Sequence, residues 1–328
     1  MSKVEAAEWT MGAHAHGQTV GVGLNAVVIA FDEAGPRVLL ANAGEDGVSS
    51  LPSGPLEAEH RTLESGVRSW VERQTGQPLG FVEQLYTFGD KSRPGTRRFV
   101  SIAYLALVRG TAEERPAAGW ADLYVHFPYE DWREGPPQAA CELRAALARW
   151  TLDAAPAVRR SRLERVEAAF GREGARWNEE RVLERYELLY EAGLVAESAR
   201  DRGVGEADHD IRGPGAAGEP GANPASGWPL ALDHRRMLAT AIGRLRAKIK
   251  YRPVLFELMP DEFTLFDLQR IAEALSGVRL HKPNFRRLME SQGLIEETGR
   301  LSVHTGGRPA KLFRYRPEIT MERPGKDE

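Results

Sequence analysis

The residues best suited to chemistry lie near the end of the 328-residue chain, in the segment HKPNFRRLME. Its proline suits the first turn of a helix. Arginine pairs with guanine, and asparagine with adenine, through two hydrogen bonds at the edge of the DNA major groove. The segment therefore predicts a helix that enters the groove, although a solvated basic face is the alternative. The candidate residues are Lys282, Asn284, Phe285, Arg286 and Arg287, with Phe285, Leu288 and Met289 also available to anchor the helix.

The segment HTGGRPAKLFRY follows this helix and supplies a second set of candidates. Gly306 and Gly307 indicate a turn between two strand-like runs, with Arg308 and Lys311 just beyond it. An arginine beside glycines can approach a phosphate or a narrow minor groove, because no side chain holds the backbone away. This pattern predicts a wing that contacts DNA through Arg308 and Lys311.

The elements around these candidates have the order of a winged helix. A helix is predicted after Asp233, and a second begins at Thr264, where Asp267 completes a capping box. The third runs from about Pro283 to Gln292 and is stopped by Gly293. From 231 to 317 the chain has 17 Lys and Arg against 9 Asp and Glu, although its overall net charge is −3. This basic excess indicates a polyanionic partner for the C-terminal end.

The first third of the chain reads as strands around one helix. The runs VGLNAVVIAF, PRVLLA and RRFVSIAYLALV are typical of buried strands. Between them, Leu63, Val67, Trp70 and Val71 share one face of a helix that ends at Thr75-Gly76. The pattern predicts an α+β unit over 17–141.

The turn LPSG and the helix after it resemble the Nudix box, in which glutamates bind the divalent ions that activate water on a diphosphate. Counted from Gly54, the four glutamate positions hold His60, Ser69, Glu72 and Arg73. Counting back from Thr75-Gly76 also leaves at most one carboxylate. One carboxylate between arginines is a poor site for a hard dication. We therefore expect no catalytic residue, no metal and no cofactor.

Arginines in place of glutamates favour phosphate instead, so this unit is predicted to bind a small nucleotide. Solvated loop arginines are an equally weighted alternative. The candidate ligand-binding residues are Arg73, Arg93, Arg97 and Arg98.

Residues 142–200 are predicted to form a charged helical insert, and the Gly- and Pro-rich stretch 201–228 a flexible linker. The winged helix is then expected over 229–320. Cys141, the single cysteine, is expected to be a small buried hydrophobe. With no signal pattern or long apolar run, the sequence favours a cytoplasmic protein with no membrane partner.

The segments KIKYRPVLFELMPDEFTLFDLQRIAEAL, HKPNFRRLMESQGLI and GGRPAKLFRY together resemble the winged-helix region of the Nudix-related transcriptional regulator (NrtR) family. The resemblance is close over about 233–315 and loose over about 20–111. It implies a homodimeric bacterial repressor, often of NAD-metabolism genes, whose Nudix domain senses ADP-ribose or a related nucleotide. By motif match, the residues Asn284 to Arg287 fall in the recognition helix, and Arg308, Pro309 and Ala310 in the wing.

The sequence thus favours a fold with a Nudix-like mixed sheet, a helical insert and a C-terminal winged helix-turn-helix. The expected function is a DNA-binding regulator whose partners are a double-stranded operator, a nucleotide effector and a second copy of the chain. Two alternatives remain open: an active Nudix hydrolase with a DNA-binding appendage, and a nonspecific nucleic-acid binder.

Overall fold

The computed structural model describes eight stretches of the chain, which together contain eight α-helices and eight strands. The described residues are 20–41, 48–89, 99–109, 119–171, 177–202, 223–251, 253–302 and 309–317.

A six-stranded mixed sheet forms the N-terminal part. Its strands are β1 (Gly21–Asp32), β2 (Gly35–Leu40), β3 (Ser53–Pro55), β4 (Phe81–Gly89), β5 (Phe99–Leu107) and β6 (Gly119–Asp122). The order is β4-β5-β1-β2-β6, and β3 pairs with β1. Strands β1 and β5 are parallel, while the other pairs are antiparallel. The sheet confirms the predicted α+β class.

Helix α1 (Leu63–Thr75) covers one face of this sheet. Thr62 caps its start in a capping box with Ser65, and Gly76 ends it in the left-handed conformation, at φ 68°. Val67 and Val71 are buried against the apolar residues of β1 and β5. These bounds match the helix predicted between Thr62 and Gly76.

The opposite face of the sheet packs against helices. Helix α6 (His234–Tyr251) contacts β1 and β4 directly, and α4 (Val182–Glu191) packs on α6. The other helices of this part are α2 (Gln138–Leu152), α3 (Pro156–Phe170) and α5 (Ala196–Asp201). Residues 203–222 of the predicted linker lie outside the described residues, but its end is packed: the Asn223 N–H donates to the Leu194 carbonyl, and the Trp228 N–H to the Val125 carbonyl.

The C-terminal elements are α6, a 3-10 turn (Pro253–Leu258), α7 (Leu265–Ser276), α8 (Lys282–Gln292), β7 (Ile295–Ser302) and β8 (Ala310–Tyr315). Thr264 and Asp267 form the predicted capping box, and Gly293 ends α8 as predicted. Three helices and an antiparallel hairpin make the expected winged helix.

One continuous apolar core joins all three parts of the molecule. It includes Val27 and Leu105 from the sheet, Leu189 from the helical part, and Leu268 and Phe285 from the winged helix. The winged helix is therefore packed onto the rest of the chain.

The expectation for Cys141 is wrong, because its side chain is exposed. Helix α2 buries Ala140, Leu143 and Leu147 along its inner face, and Cys141 lies on the other side. Within the described stretches, we find no helix with the length and hydropathy needed to cross a membrane.

Candidate nucleic-acid interface

Helix α8 is held by few residues and exposes the rest. Phe285 and Met289, one helical turn apart, are its two buried side chains. Pro283 occupies the first turn, where its missing N–H costs nothing. His281 precedes the helix without a side-chain cap, and the residues of the first turn of α8 are exposed, apart from Phe285. An exposed and uncapped first turn with a narrow buried stripe suits a helix that reads a DNA groove.

The polar candidates on α8 are all exposed: Lys282, Asn284, Arg286 and Arg287. Lys282 and Arg286 make no hydrogen bond or ion pair with any described residue. Arg287 donates one hydrogen bond to the Asn284 side-chain oxygen, at 2.7 Å. The face therefore presents three positive charges whose counter-charge must come from outside the described part of the chain.

Phe285 is buried, which favours the anchoring role that the sequence also allowed over a contact with DNA. Its side chain is 7% exposed and belongs to the shared core. Together with Met289, one helical turn further on, it forms the buried stripe of α8, and the polar candidates lie on the rest of the helix surface. Phe285 thus acts as an anchor.

Among the described residues, the wing has fewer unpaired positive side chains than α8. Lys311 on β8 is exposed, but it forms an ion pair with Glu297 on β7, with 2.7 Å between Nζ and the carboxylate. Arg314 is paired in the same way with Glu296. Arg308 and the Gly306-Gly307 turn lie outside the described residues. Lys311 is thus a weaker candidate for DNA contact than the residues of α8.

The Nudix-like helix α1 packs tightly against the LPSG loop. The Trp70 ring lies over Gly54, where an added Cβ would come within 2.0 Å of the indole. The Trp70 indole N–H donates to the Pro55 carbonyl at 2.8 Å. Gln74 exchanges two hydrogen bonds with the Ser53 backbone, at 3.0 and 2.8 Å. An aromatic ring and an amide therefore fill the space between loop and helix.

The positions counted from Gly54 do not fit a divalent metal. Arg73 forms an ion pair with Glu57 at 2.7 Å, and its guanidinium lies 4.0 Å from the centre of the Trp70 ring. The hydrogen bond from Arg73 lowers the pKa of Glu57. His60 accepts a hydrogen bond from the Glu57 N–H, which fixes its ring beside the arginine. A cation in the midst of the expected ligands repels a dication.

Of the four ligand-binding candidates, only Arg73 lies in a described stretch. Its side chain is 45% exposed, so an anion can reach it. Arg93, Arg97 and Arg98 lie outside the described residues.

A buried ion cluster behind the winged helix was not predicted from the sequence. Glu130 lies between Arg185 of α4 and Arg246 of α6, and all three side chains are fully buried. The available signal was a charged residue on the apolar stripe of each helix, next to Tyr186 in α4 and next to Leu245 in α6. Such residues are buried only when they are paired.

Comparison with known proteins agrees with this architecture. Residues 255–315 match the family model of the NrtR DNA-binding winged helix domain. A curated relative, the "ADPR responsive transcriptional repressor NtrR" of Acinetobacter baylyi, is 43% identical over 86 residues. That alignment covers 26% of this chain and 34% of the relative, so the chain matches about a third of the relative's length.

Solved structures extend the likeness in fold to nearly the whole chain. Shewanella oneidensis NrtR in complex with a 27mer DNA has a TM-score of 0.52 at 19% identity, covering 92% of this chain and 95% of that one. A MutT/nudix family protein from Enterococcus faecalis has a TM-score of 0.50 at 14% identity, with 93% and 90% covered. The C-terminal part therefore matches the NrtR winged-helix domain, and the sheet that precedes it in the chain is Nudix-like.

Proposed function

We propose that this protein is a DNA-binding regulator that represses transcription. In this proposal its Nudix-like part binds a nucleotide such as ADP-ribose without hydrolysing it. The observation that carries the proposal is the exposed face of α8, where Lys282 and Arg286 lack any described partner. Phosphates and guanine edges are the groups that such cations bind. The match of residues 255–315 and the name of the Acinetobacter relative support the same function.

The regulator acts as a cytoplasmic homodimer in this proposal. Two winged helices read two half-sites about 34 Å apart on one face of B-DNA, so a small change in their spacing weakens binding. Sedimentation of the free chain and of its DNA complex measures both stoichiometries. One chain per duplex would contradict the dimer.

The test of DNA reading is a selection of bound duplexes from a random 30-base-pair pool by the full chain. We expect one enriched motif with twofold symmetry, bound at least 10³-fold more tightly than unselected DNA. A nonspecific binder would enrich no motif, and its affinity for every duplex would fall equally steeply with salt.

The nucleotide site of the proposal lies around Arg73, with Arg93, Arg97 and Arg98 as further contacts. Arg73 is exposed enough to exchange Glu57 for a phosphate, which offers bidentate hydrogen bonds of the same geometry. Calorimetric titration with ADP-ribose tests this. We expect Arg73→Ala to weaken binding about tenfold, while Arg160→Ala, an exposed arginine paired with Glu164 on α3, leaves it unchanged.

An active hydrolase is the second candidate, and the fold of the Enterococcus MutT/nudix protein favours it. The closed loop around Trp70 and the cation at position 73 argue against it. Incubation of the chain with ADP-ribose and Mg²⁺, followed by measurement of AMP, separates the two. We expect no product above the protein-free control; turnover near 1 s⁻¹ would place this chain among the enzymes.

A further inference from the structure

One stretch of chain runs directly from the sheet to the helix-turn-helix. We name residues 122–134 the connector. It begins at Asp122, the last residue of β6, which pairs with Arg37 of β2. Two 3-10 turns follow, Leu123–Val125 and Pro128–Glu130. The connector then reaches the turn between α7 and α8, which consists of residues 277–281.

The connector is bonded to the backbone of that turn. The Tyr124 hydroxyl donates to the Ala274 carbonyl near the end of α7, at 2.6 Å. The backbone N–H of Trp132 donates to the Gly277 carbonyl at 2.7 Å. Gly277 has a φ of 71°, and a Cβ there would lie 2.4 Å from the Glu130 carbonyl oxygen. The turn therefore approaches the connector as closely as a glycine allows.

Arg279 fastens the other side of the turn. Its guanidinium donates to the Arg133 carbonyl at 3.2 Å and forms ion pairs with Glu134 of the connector and Glu273 of α7. The carboxylate of Glu273 in turn accepts the Leu280 N–H at 3.0 Å. The residues just before α8 are thus tied on one side to α7 and on the other to the connector.

Two buried arginines hold the connector itself. The Glu130 carboxylate accepts hydrogen bonds from Arg185 at 2.5 and 2.9 Å and from Arg246 at 2.6 Å. Arg246 also donates to the Leu275 carbonyl of α7 at 3.0 Å. Because breaking a buried ion pair is costly, the connector and the end of α7 must move together.

From these contacts we infer that the connector sets the position of α8, and that Tyr124 and Arg279 are positioning residues for DNA reading. Helix α8 buries only Phe285 and Met289, so the turn before it determines where its N-terminus points. If nucleotide binding shifts β6 or β2, the connector moves with these strands and displaces the turn that precedes α8. The inference rests on the proposed function and adds the route by which the two parts of the chain communicate.

The test uses the full chain and the duplex selected from the random pool. Tyr124→Phe keeps the ring but removes the hydroxyl, which donates to the Ala274 carbonyl and accepts from Arg246. Tyr190→Phe is the matched control, since it removes a tyrosine hydroxyl that donates to Asp201 away from the turn. We expect Tyr124→Phe to weaken binding of the selected duplex about fivefold, with Tyr190→Phe within twofold of the unmodified chain.

Arg279→Ala gives a second variant that folds, because its side chain is 62% exposed. We expect a loss of about fivefold, partial rescue by Arg279→Lys, and no loss in Arg160→Ala. Affinity for unselected DNA reports general basic charge, and we expect the tyrosine variants to leave it unchanged. In Tyr124→Phe and in Arg279→Ala, the ratio of affinities with and without ADP-ribose should shrink towards one.

Three results would overturn the inference. A lower melting temperature in Tyr124→Phe with unchanged affinity would show a purely structural role. Equal behaviour of Tyr124→Phe and Tyr190→Phe would remove the connector from DNA reading. Absence of any preferred duplex for the unmodified chain would instead overturn the proposed function, and this inference with it.

Discussion

Arg185, Arg235 and Arg246 lie wholly inside the molecule, whereas Arg286 and Arg287 lie on the outer face of α8. The inner three form the junction between the helical part and the winged helix. Arg185 and Arg246 share Glu130, and Arg235 is paired with Glu197 at 2.7 Å. The outer arginines have no carboxylate partner among the described residues.

This contrast shows how one residue type does two kinds of work. An arginine that is buried and paired with a carboxylate of the same chain fixes the relative position of two elements, and its loss lowers the stability of the fold. An exposed arginine contributes little to stability and keeps its donors for a partner. A cation's burial and partners, more than its position in a motif, therefore distinguish a structural role from a binding role.

The largest expected effect is in the junction. Glu130→Gln keeps the size of the side chain but leaves two buried guanidinium groups without a counter-charge. We expect the free energy of unfolding to fall by about 3–5 kcal/mol, measured by urea denaturation. Glu164→Gln, which loses an exposed partner of Arg160, is the control and should cost below about 1 kcal/mol. Equal losses in the two variants would erase the contrast.

Two buried histidines, His126 and His234, should make the free energy of unfolding depend on pH. Burial lowers the pKa of both His126 and His234 to about 4. The unfolded chain has values near 6.5 and takes up protons first as the pH falls. The stabilisation from each neutral imidazole is complete above pH 6.5 and is lost progressively towards pH 4. We expect each histidine to cost about 2 kcal/mol between pH 7 and pH 5.

The variant His234→Asn sharpens this test. The His234 ring accepts the Leu51 N–H at 3.0 Å, and an asparagine oxygen can accept the same bond without titrating. Urea denaturation at the two pH values should therefore show about half of the original pH dependence. An unchanged slope would exclude His234 as a source of it.

On α8, Arg286→Ala and Arg287→Ala should each weaken binding of the selected duplex by roughly tenfold, since a good base contact is worth about 1–3 kcal/mol. Fluorescence anisotropy with labelled duplex measures this. The melting temperature should stay within about 1–2 °C of the unmodified chain, because exposed side chains contribute little to stability. Unchanged affinity in both variants would mean that α8 does not enter the groove.

The smallest effect is expected at the wing. Lys311→Ala should weaken binding of the same duplex by less than about threefold, because its charge is already balanced by Glu297. Glu297→Gln is the informative partner variant: it frees Lys311 and should strengthen binding slightly at low salt. A tenfold loss in Lys311→Ala would show that the ion pair opens on DNA.

The features that were predicted correctly from the sequence depend on short, local patterns. The capping box at Thr264 and Asp267 and the glycine stops at 76 and 293 act within a few residues, so their patterns fix the helix ends. The same holds for the exposed cations of α8, because the anchoring spacing of Phe285 and Met289 leaves them outside. The same spacing makes Phe285 an anchor of the helix.

The junction depends on contacts between distant parts of the chain, which local patterns do not encode. Glu130 lies 55 residues before Arg185 and 116 before Arg246. In the sequence Glu130 stands in the stretch HFPYEDWREGPP, which resembles an ordinary surface turn. The prediction for Cys141 is wrong for a related reason. Whether a small residue in a helix is buried depends on which face of the helix packs against another element.

The apolar core that runs without a break from the sheet to the winged helix has a consequence for folding cooperativity. Residues such as Leu238 and Ile242 of α6 belong to it and are almost completely shielded from water. A fragment beginning near 229 would uncover that surface. Calorimetry should therefore record a single transition for the intact protein, and brief protease treatment should not release a stable C-terminal piece.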